Sequence, residues 1–365
     1  MNNKKIILTG GGSGGHIFPL IAVAESLKKS EPLLDIFYIG PKHSLNEEFL
    51  IRDIRVKNIL NAKWRRYLSL ANIFAPLKLL ISFWQAFFLV LFFWPAAVFS
   101  KGGPGALPVV LAAKIFGRKI IIHESDAIPG LTNKFCGPLA NRIAISFRKA
   151  AESFPVERMA LTGNPIRIDF FQNIENQDEA KKYLHFDPAK KLILILGGSL
   201  GSDRINNFFL ENIGFFLKDF QIFHQTGNKN IEQVKEITSS LKDYRAEGFF
   251  DLPMMKRGLA AADLIISRAG GSAIAEIAAV GKPSILIPLT EAANDHQRQN
   301  AYEYADLGAA TVIEEENLTK NIVSVQIQKI LEDPQQNKLM SDSAKNFAKP
   351  NAANTIAAEI LGLIR

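Results

Sequence analysis

The chain has 365 residues, of which 47% are hydrophobic and 22% are charged, and its formal net charge is +7. This composition excludes an intrinsically disordered chain, and the length allows two domains, each with its own core. The single cysteine, Cys136, excludes a disulfide framework and a multi-cysteine zinc site, and the six histidines have no metal-ligand spacing. The positive charge favours anionic partners, such as phosphorylated substrates or acidic lipid.

The first predicted element is a strand over "KKIILTG", followed by the glycine-rich stretch "GGGSGGHIFP" and a helix. The apolar run before the glycines is too short for a signal peptide, which predicts a cytoplasmic protein. Gly10, Gly12 and Gly15 match the G-x-G-x-x-G pattern of dinucleotide sites. However, the second predicted strand, "LDIFYIG", does not end in the acidic residue that such a site needs.

The start of this first helix is the first candidate for chemistry. Glycines allow a ligand to approach the backbone, and the helix N-terminus favours an anion such as a sugar diphosphate. His16 lies at that point of the chain. It could act as a general base near neutral pH, or it could only cap the helix or pack the loop.

An apolar segment covers residues 79–94, "LLISFWQAFFLVLFFW". It is shorter than the ~20 residues that span a bilayer, so a buried helix is the simplest alternative. It lacks the polar stripe that an outer helix of an α/β domain should have. Because Lys63, Arg65 and Arg66 precede it, we expect it to dock on an anionic membrane surface rather than to span it.

Short strands and helical patterns alternate along the chain, which predicts parallel sheets. Further strands are predicted in "AAVFSKGG" and "RKIIIHES", and the opening layout then restarts at "KKLILILGGSLGSDRIN". The second half adds strands in "FQIFHQTG", "AEGFFD", "ADLIISRAGG" and "PSILIPL". We therefore predict an α/β protein with two doubly wound domains, which meet near "LTGNPIRIDF".

Several loops carry polar side chains to the predicted carboxyl ends of strands. In the first half these loops are "SKGGPGALP" and "HESDAIPGLTN", which contains His123, Glu124, Asp126 and Asn133. In the second half, "GGSLGS" offers backbone N–H groups and Ser199 to a phosphate. Glu276 in "SRAGGSAIAE" could accept both hydroxyls of a ribose, or it could lie on a solvated helix face. The stretch "NDHQRQNA", residues 294–301, is suited to sugar hydroxyls.

Taken together, these motifs resemble the MurG family of peptidoglycan glycosyltransferases. The stretches "GGGSGGHIFP", "HESDAIPGLTNK", "GNPIR", "GGSLGSDRIN", "SRAGGSAIAEIAAVGKPSILIPL" and "DHQRQNA" occur in that family's order and spacing, from about residue 4 to beyond 310. The resemblance implies the GT-B fold, in which two Rossmann-like domains face each other across a cleft. The expected domains are 1–163 and 164–343, with a helix at about 344–365 that packs back on the first.

The resemblance also implies an activity. Such an enzyme transfers N-acetylglucosamine from UDP-N-acetylglucosamine to the 4-hydroxyl of a lipid-linked muramyl-pentapeptide, without a cofactor or metal. It would be a peripheral protein on the cytoplasmic face of the inner membrane, serving cell wall synthesis and thus cell shape and division. Nucleic acid is not among the expected partners.

The resemblance assigns roles to individual residues. His16 would be the catalytic base, with Ser13, Gly14 and Gly15 against a diphosphate. The other expected substrate-binding residues are Asp126, Asn133, Arg167, Ser199, Phe250, Gly271, Ser272, Ala273, Ile274, Ala275, Glu276, His296 and Gln297. Two positions depart from the family pattern: Asp126 stands where many members have Asn, and Pro104 stands where members often have an aromatic residue.

Three alternatives stay open at this point. Another GT-B enzyme that uses UDP-N-acetylglucosamine, such as an epimerase or a glycolipid transferase, would share the same loops. A nucleotide-dependent oxidoreductase would need the acid that the second strand lacks. A non-catalytic membrane-docking subunit would need neither Glu276 nor Gln297.

Overall fold

The computed structural model describes residues 4–11, 14–61, 75–167, 170, 175–198 and 200–365. The chain divides into two units by its internal contacts. Unit 1 comprises Met1–Arg167 and Pro350–Arg365, and unit 2 comprises Ile168–Lys349. The division thus falls after Arg167, where the sequence suggested residue 163, and the return to unit 1 begins at Pro350, where it suggested about 344.

Unit 1 contains a parallel sheet, which in the described part of the chain has the strand order β3-β2-β1-β4-β5-β6-β7. The strands are β1 (Lys5–Thr9), β2 (Asp35–Pro41), β3 (Arg55–Ile59), β4 (Ala97–Ser100), β5 (Lys119–Glu124), β6 (Arg142–Ile145) and β7 (Met159–Leu161). The helices are α1 (Gly14–Ser30), α2 (Glu47–Leu50), α3 (Ala75–Phe93), α4 (Ala106–Ile115), α5 (Leu131–Cys136) and the last helix of the chain, α15 (Ala352–Ile364).

Helices cover both faces of this sheet because successive strand residues point to opposite sides. Ile6 and Leu8 of β1 pack in a core with α1 and α15, whereas Ile7 packs in a second core with α3 and α4. Cys136 is buried in this second core.

The C-terminal helix α15 belongs to unit 1 because its apolar stripe completes the first of these cores. Ile356 and Ile360, one helical turn apart, are buried against α1. The ion pair between Arg142 and Glu359, with a nitrogen–oxygen distance of 2.6 Å, adds a link to β6. Lys4 also donates a hydrogen bond of 2.8 Å to the carbonyl of Ile364.

Helix α3 is not a core helix, so the alternative of a buried helix is wrong. Only Ala75, Ser82, Ala86, Val90 and Phe93 are buried, most of them on one narrow stripe that packs against the sheet and α4. The helix begins four residues earlier than the predicted segment. With 19 residues, it is the one described helix that is long and apolar enough to cross a membrane by those two criteria.

The remaining surface of α3 is an exposed apolar face. It includes Leu80 (54% exposed), Trp84 (48%), Phe88 (60%) and Phe92 (79%). We refer to these four residues as the α3 apolar face. Lys63, Arg65 and Arg66, which were expected to accompany it, lie outside the described residues.

Unit 2 repeats the architecture with the described strand order β10-β9-β8-β11-β12-β13, again all parallel. The strands are β8 (Lys191–Leu196), β9 (Phe220–Gln225), β10 (Tyr244–Glu247), β11 (Leu264–Ser267), β12 (Ser284–Leu286) and β13 (Ala310–Val312). The helices are α6 (Gln177–Tyr183), α7 (Asp203–Glu211), α8 (Ile213–Phe216), α9 (Ile231–Thr238), α10 (Leu252–Ala261), α11 (Gly271–Val280), α12 (His296–Asp306), α13 (Lys320–Glu332) and α14 (Pro334–Phe347).

One predicted strand is shifted. The stretch "AEGFFD" was expected to form it, but β10 ends at Glu247, before the two phenylalanines. Phe250 instead stacks from the following loop on Phe223 of β9, with ring centroids 4.5 Å apart. Asp251 then caps α10 by accepting a hydrogen bond from the Met254 amide. The two phenylalanines suggest a strand because they are apolar, but Phe250 is buried from a loop and Phe249 is exposed.

Candidate functional site

The glycine loops of both units lie where the strand order reverses. In unit 1, β1 pairs with β2 on one side and β4 on the other, and in unit 2, β8 pairs with β9 and β11. The chain runs outward in opposite directions from such a point, so a crevice opens at the carboxyl ends of the two central strands. The motifs "GGGSGGH" and "SKGG" flank it in unit 1, and "GGSLGS" and "SRAGG" flank it in unit 2.

In unit 1 the loops after β1, β4 and β5 are in contact, and we call residues 10–11, 14–16, 101–105 and 123–130 the unit-1 loop cluster. Gly103 has a φ of +86°, and a Cβ atom there would lie 2.8 Å from the carbonyl oxygen of Gly11 and 3.4 Å from Nε2 of His16. A Cβ atom on Gly102 would lie 2.8 Å from Oδ1 of Asn133. The β4 loop is therefore packed so tightly between its neighbours that only glycine fits.

His16 is in the first turn of α1, because that helix begins at Gly14. The backbone N–H groups of such a turn have no partners within the helix and can bind an anion. The His16 side chain is half-buried. Burial and, to a smaller extent, the charge on Lys101 lower the pKa of His16 to about 4, and Asp126 opposes both effects. The ring is thus neutral at cellular pH and able to accept a proton. Gly12 and Ser13 lie outside the described residues.

Glu124 organises the loop that follows β5. Its carboxylate accepts hydrogen bonds from the amides of Asp126 (3.0 Å) and Gly130 (3.1 Å) and from Nδ2 of Asn133 (2.9 Å). Asn133 also donates to the carbonyl of His123 at 3.0 Å and is itself buried. The structure therefore places Asn133, expected to bind substrate, as a brace between Glu124 and β5. Asp126 is half-buried beside it.

Arg167 is the last residue of the first segment of unit 1 and packs on the first helix of that unit. The guanidinium lies 4.5 Å from the ring centroid of Phe18 on α1, two residues after His16. Upstream in the same segment, the Gly163 carbonyl contacts Nε2 of His123 at 3.0 Å. The "GNPIR" motif is thus fastened to the same edge of the sheet as the unit-1 loop cluster.

In unit 2 the loops after β8, β11 and β12 form a second group, the unit-2 loop cluster (residues 197–198, 200–202, 268–272 and 287–297). Gly201 has a φ of +78°, and a Cβ atom there would overlap the carbonyl oxygen of Thr226. Ser202 caps α7 and accepts a hydrogen bond of 3.3 Å from the Ile205 amide. Ser199 lies outside the described residues.

Arg268 connects the segments of this cluster, although it was not among the predicted site residues. Its guanidinium donates to Oγ of Ser202 at 2.6 Å and to the carbonyl of Ile287 at 3.1 Å, and it forms an ion pair with Glu315. Thr290 adds a hydroxyl hydrogen bond of 2.9 Å to Glu315. A single buried arginine therefore ties together the segments after β8, β11, β12 and β13. Its only sequence signal was its place directly after a strand.

Helix α11 presents the other predicted donor residues. Gly271 is its first residue, and Ser272 and Ala273 are half-buried in its first turn. The side chains of Ile274 and Ala275 are buried, so only their backbone could contact a ligand. Glu276 is half-buried rather than fully solvated.

Helix α12 begins with the two predicted sugar-reading residues. His296 is its first residue, and Oε1 of Gln297 accepts a hydrogen bond of 3.1 Å from the Leu289 amide. Asn294 and Asp295, directly before it, both have positive φ values, 56° and 57°. This conformation is unfavourable for residues other than glycine, and such strain concentrates at functional loops.

Phe250 also lies at this edge of the sheet. Its side chain is turned inward on Phe223, so the contact expected of it can come only from its backbone. Among the residues that the structure describes, no three His, Cys, Asp or Glu side chains are grouped as a metal site requires.

Comparison with known proteins gives the family. Residues 6–145 match the glycosyltransferase family 28 N-terminal domain, and residues 192–356 match its C-terminal domain. A UDP-N-acetylglucosamine–N-acetylmuramyl-(pentapeptide) pyrophosphoryl-undecaprenol N-acetylglucosamine transferase of Flavobacterium psychrophilum is 36% identical over 100% of this chain and 99% of its own length. The chain belongs to the MurG family. The predicted resemblance is therefore confirmed.

Solved structures agree with this assignment. The crystal structure of MurG from Acinetobacter baumannii matches with a TM-score of 0.75 and 26% identity, over 98% of this chain and 99% of that one. A UDP-N-acetylglucosamine 2-epimerase from Neisseria meningitidis matches with a TM-score of 0.69 and 16% identity, over 98% and 99%. The second likeness concerns the fold alone. The predicted class, two Rossmann-like parallel-sheet domains of the GT-B type, is confirmed.

Proposed function

We propose that this chain transfers N-acetylglucosamine from UDP-N-acetylglucosamine to the 4-hydroxyl of the muramyl unit of a lipid-linked muramyl-pentapeptide, the step from lipid I to lipid II. The observation that carries the proposal is the full-length similarity to a relative whose name specifies this reaction. The two loop clusters support it, because each combines glycine turns with a helix N-terminus at the point where strand order reverses.

The proposed chemistry is a single inverting displacement. His16 takes the proton of the acceptor 4-hydroxyl while that oxygen bonds to the anomeric carbon of the donor sugar. The bond between this carbon and the UDP oxygen breaks on the opposite face, and UDP leaves with the electron pair. Backbone N–H groups at the N-termini of α7 and α11 would stabilise the charge of the diphosphate. Glu276 would hold the ribose hydroxyls, and Gln297 would read the donor sugar.

The proposal also covers location. We assign the α3 apolar face to the surface of the inner membrane, on the cytoplasmic side where UDP-sugars are available. The face is exposed along a helix whose mean hydropathy is 1.8. A lipid-linked acceptor requires the enzyme to work at the membrane surface, and an apolar helix face that enters the interface would provide the attachment.

The decisive experiment is UDP release from UDP-N-acetylglucosamine, measured with and without a lipid-linked muramyl-pentapeptide analogue. We expect release to depend on the acceptor. An epimerase would instead convert the sugar nucleotide without an acceptor, and that result would replace the proposal with the epimerase alternative. The oxidoreductase alternative has little support, since β2 ends at Gly40 and Pro41 without an acidic residue.

Membrane attachment is tested separately by co-sedimentation with vesicles that contain anionic lipid. The double variant W84S/F88S should reduce the bound fraction. Leu339→Ser is the matched control, because Leu339 is 61% exposed but lies in unit 2. Equal binding of all three proteins would remove the α3 apolar face from the proposal.

A further inference from the structure

The unit-1 loop cluster contains a buried cation that the proposed chemistry does not use. Lys101 directly follows β4, is 2% exposed, and its Nζ has no hydrogen-bond partner among the described residues. An isolated buried charge is unfavourable, so proteins bury a lysine only where neighbouring charges balance it. The surroundings of Lys101 therefore indicate what its charge does.

Those surroundings follow from the order of the strands. Because β4 lies between β1 and β5, Lys101 lies between His16, which follows β1, and the carboxylates of Glu124 and Asp126 at the end of β5. A Cβ atom on Gly10 would lie 3.2 Å from the Lys101 Cβ, so the lysine stem passes directly under the first loop. Burial lowers the pKa of Lys101 to about 8, and the two carboxylates oppose that fall. Lys101 is therefore largely charged at pH 7.

His16 experiences charges of both signs. Lys101 lowers its pKa, and Asp126 raises it. The other titratable or charged groups in the segments around the cluster include Tyr38 of β2, whose hydroxyl donates to the carbonyl of Gly10 at 2.8 Å. They also include Lys42 and His43 after β2, His123 and Glu124 of β5, and Arg167 after β7. His123 is buried, and its pKa lies well below the ordinary value through burial and the charge of Lys101, so it carries no charge at pH 7. The opposing pair Lys101 and Asp126 is thus placed to set the state of the His16 ring.

We propose that Lys101 is a positioning residue for the transfer reaction, whose buried ammonium group beside the first loop balances the charge of Asp126 on the His16 ring. The role in transfer rests on the proposed function, whereas the action on His16 does not. Asp126 departs from the asparagine of many family members, and an added carboxylate favours the protonated form of His16. Burial is the main reason that the ring is neutral, and Lys101 offsets the charge of the added carboxylate.

The test is an NMR titration of the full-length protein labelled with ¹³C at the histidine ring carbons. The His16 signal is identified as the one missing from His16→Gln. In Lys101→Met, which keeps the chain length but removes the charge, the His16 midpoint should rise by about one pH unit. In Lys101→Arg, which keeps the charge, it should stay at the wild-type position. An unchanged midpoint in Lys101→Met overturns the proposal.

A double variant distinguishes the loss of the Lys101 charge from a structural change in the loops. Adding Asp126→Asn to Lys101→Met should bring the midpoint down again, since Asp126 acts on His16 with the opposite sign. A midpoint that stays high in the double variant would indicate a loop rearrangement and would also overturn the proposal. The titration needs no acceptor, so a failure of acceptor-dependent UDP release would count against the proposed function alone. Where that activity is present, the acid limb of kcat/KM should move upward in Lys101→Met.

Discussion

Replacing Arg268 with methionine should destabilise unit 2 without changing its fold. Arg268 and Glu315 form an ion pair in which the side chains are only 10% and 1% exposed. Removing one partner of a buried pair costs about 3–5 kcal/mol, because the other charge is left without compensation. Glu315 keeps its hydrogen bond from Thr290 and a longer contact of 3.4 Å with Arg204. We therefore expect the lower end, about 3 kcal/mol.

The pH dependence of the stability lost in Arg268→Met provides an independent test of the same prediction. Burial alone would raise the pKa of Glu315, but hydrogen bonds from Arg268 and Thr290 hold it below the usual range. In the wild type, this stabilisation is present above the ordinary carboxyl pKa and is lost as the pH falls through the lowered one. In Arg268→Met the burial effect dominates, so Glu315 takes up a proton more readily. The difference in stability between the two proteins should therefore shrink between pH 7 and about pH 5.

The assay must report on unit 2 alone. All three tryptophans, Trp64, Trp84 and Trp94, belong to unit 1, so tryptophan fluorescence does not follow unit 2. Hydrogen exchange by mass spectrometry resolves peptides of β11 and β13, with peptides of unit 1 as an internal reference. Exchange by global opening of unit 2 should become roughly a hundredfold faster.

Two controls decide the interpretation. Lys338→Met removes an exposed ion pair with Asp342 and should leave exchange within experimental error. Adding Glu315→Gln to Arg268→Met removes the uncompensated charge and should restore much of the protection. If that double variant exchanges faster than Arg268→Met, or if Arg268→Met differs from the wild type by less than about 1 kcal/mol, the reasoning about the buried pair is refuted.

Three further outcomes follow from the described geometry. His16→Ala should lower turnover by ~10²–10⁴ while calorimetry finds donor affinity little changed, and near-normal turnover would remove His16 as the base. Gly201→Ala should weaken UDP binding and cost about 1–3 kcal/mol, because φ is +78° and the methyl group meets Thr226. Gly214→Ala, in open space, is its control. Ile360→Ala should destabilise unit 1 by about 2–5 kcal/mol, because Ile360 is fully buried against α1. The measurement is urea unfolding followed by tryptophan fluorescence. An unchanged unfolding midpoint would show that α15 is not part of that core.

Much of the architecture was predictable because its signals are local. Apolar runs such as "KIILT" and "KLILIL" are central strands that are buried after their first lysine, and a glycine turn and a helix follow each of them. The strands that were not predicted lie at or near the edges of the sheets. These short strands are β3 (Arg55–Ile59), β6 (Arg142–Ile145), β7 (Met159–Leu161) and β13 (Ala310–Val312). The residues of β3 and β7 are also largely exposed. These strands form by pairing with strands that are distant in the sequence, so their own composition gives only a weak signal of strand structure.

The sequence by itself determined the two Rossmann-like units, the family and the positions of the glycine loops, since each of these depends on patterns within a few residues. Only the tertiary structure decided which side chains of those loops face each other. Asn133, a predicted ligand contact, donates to Glu124, while Lys101 and Arg268 looked like ordinary basic residues and are buried at the centre of their clusters. Burial and charge pairing are properties of strands brought together from distant parts of the chain, so no local pattern specifies them.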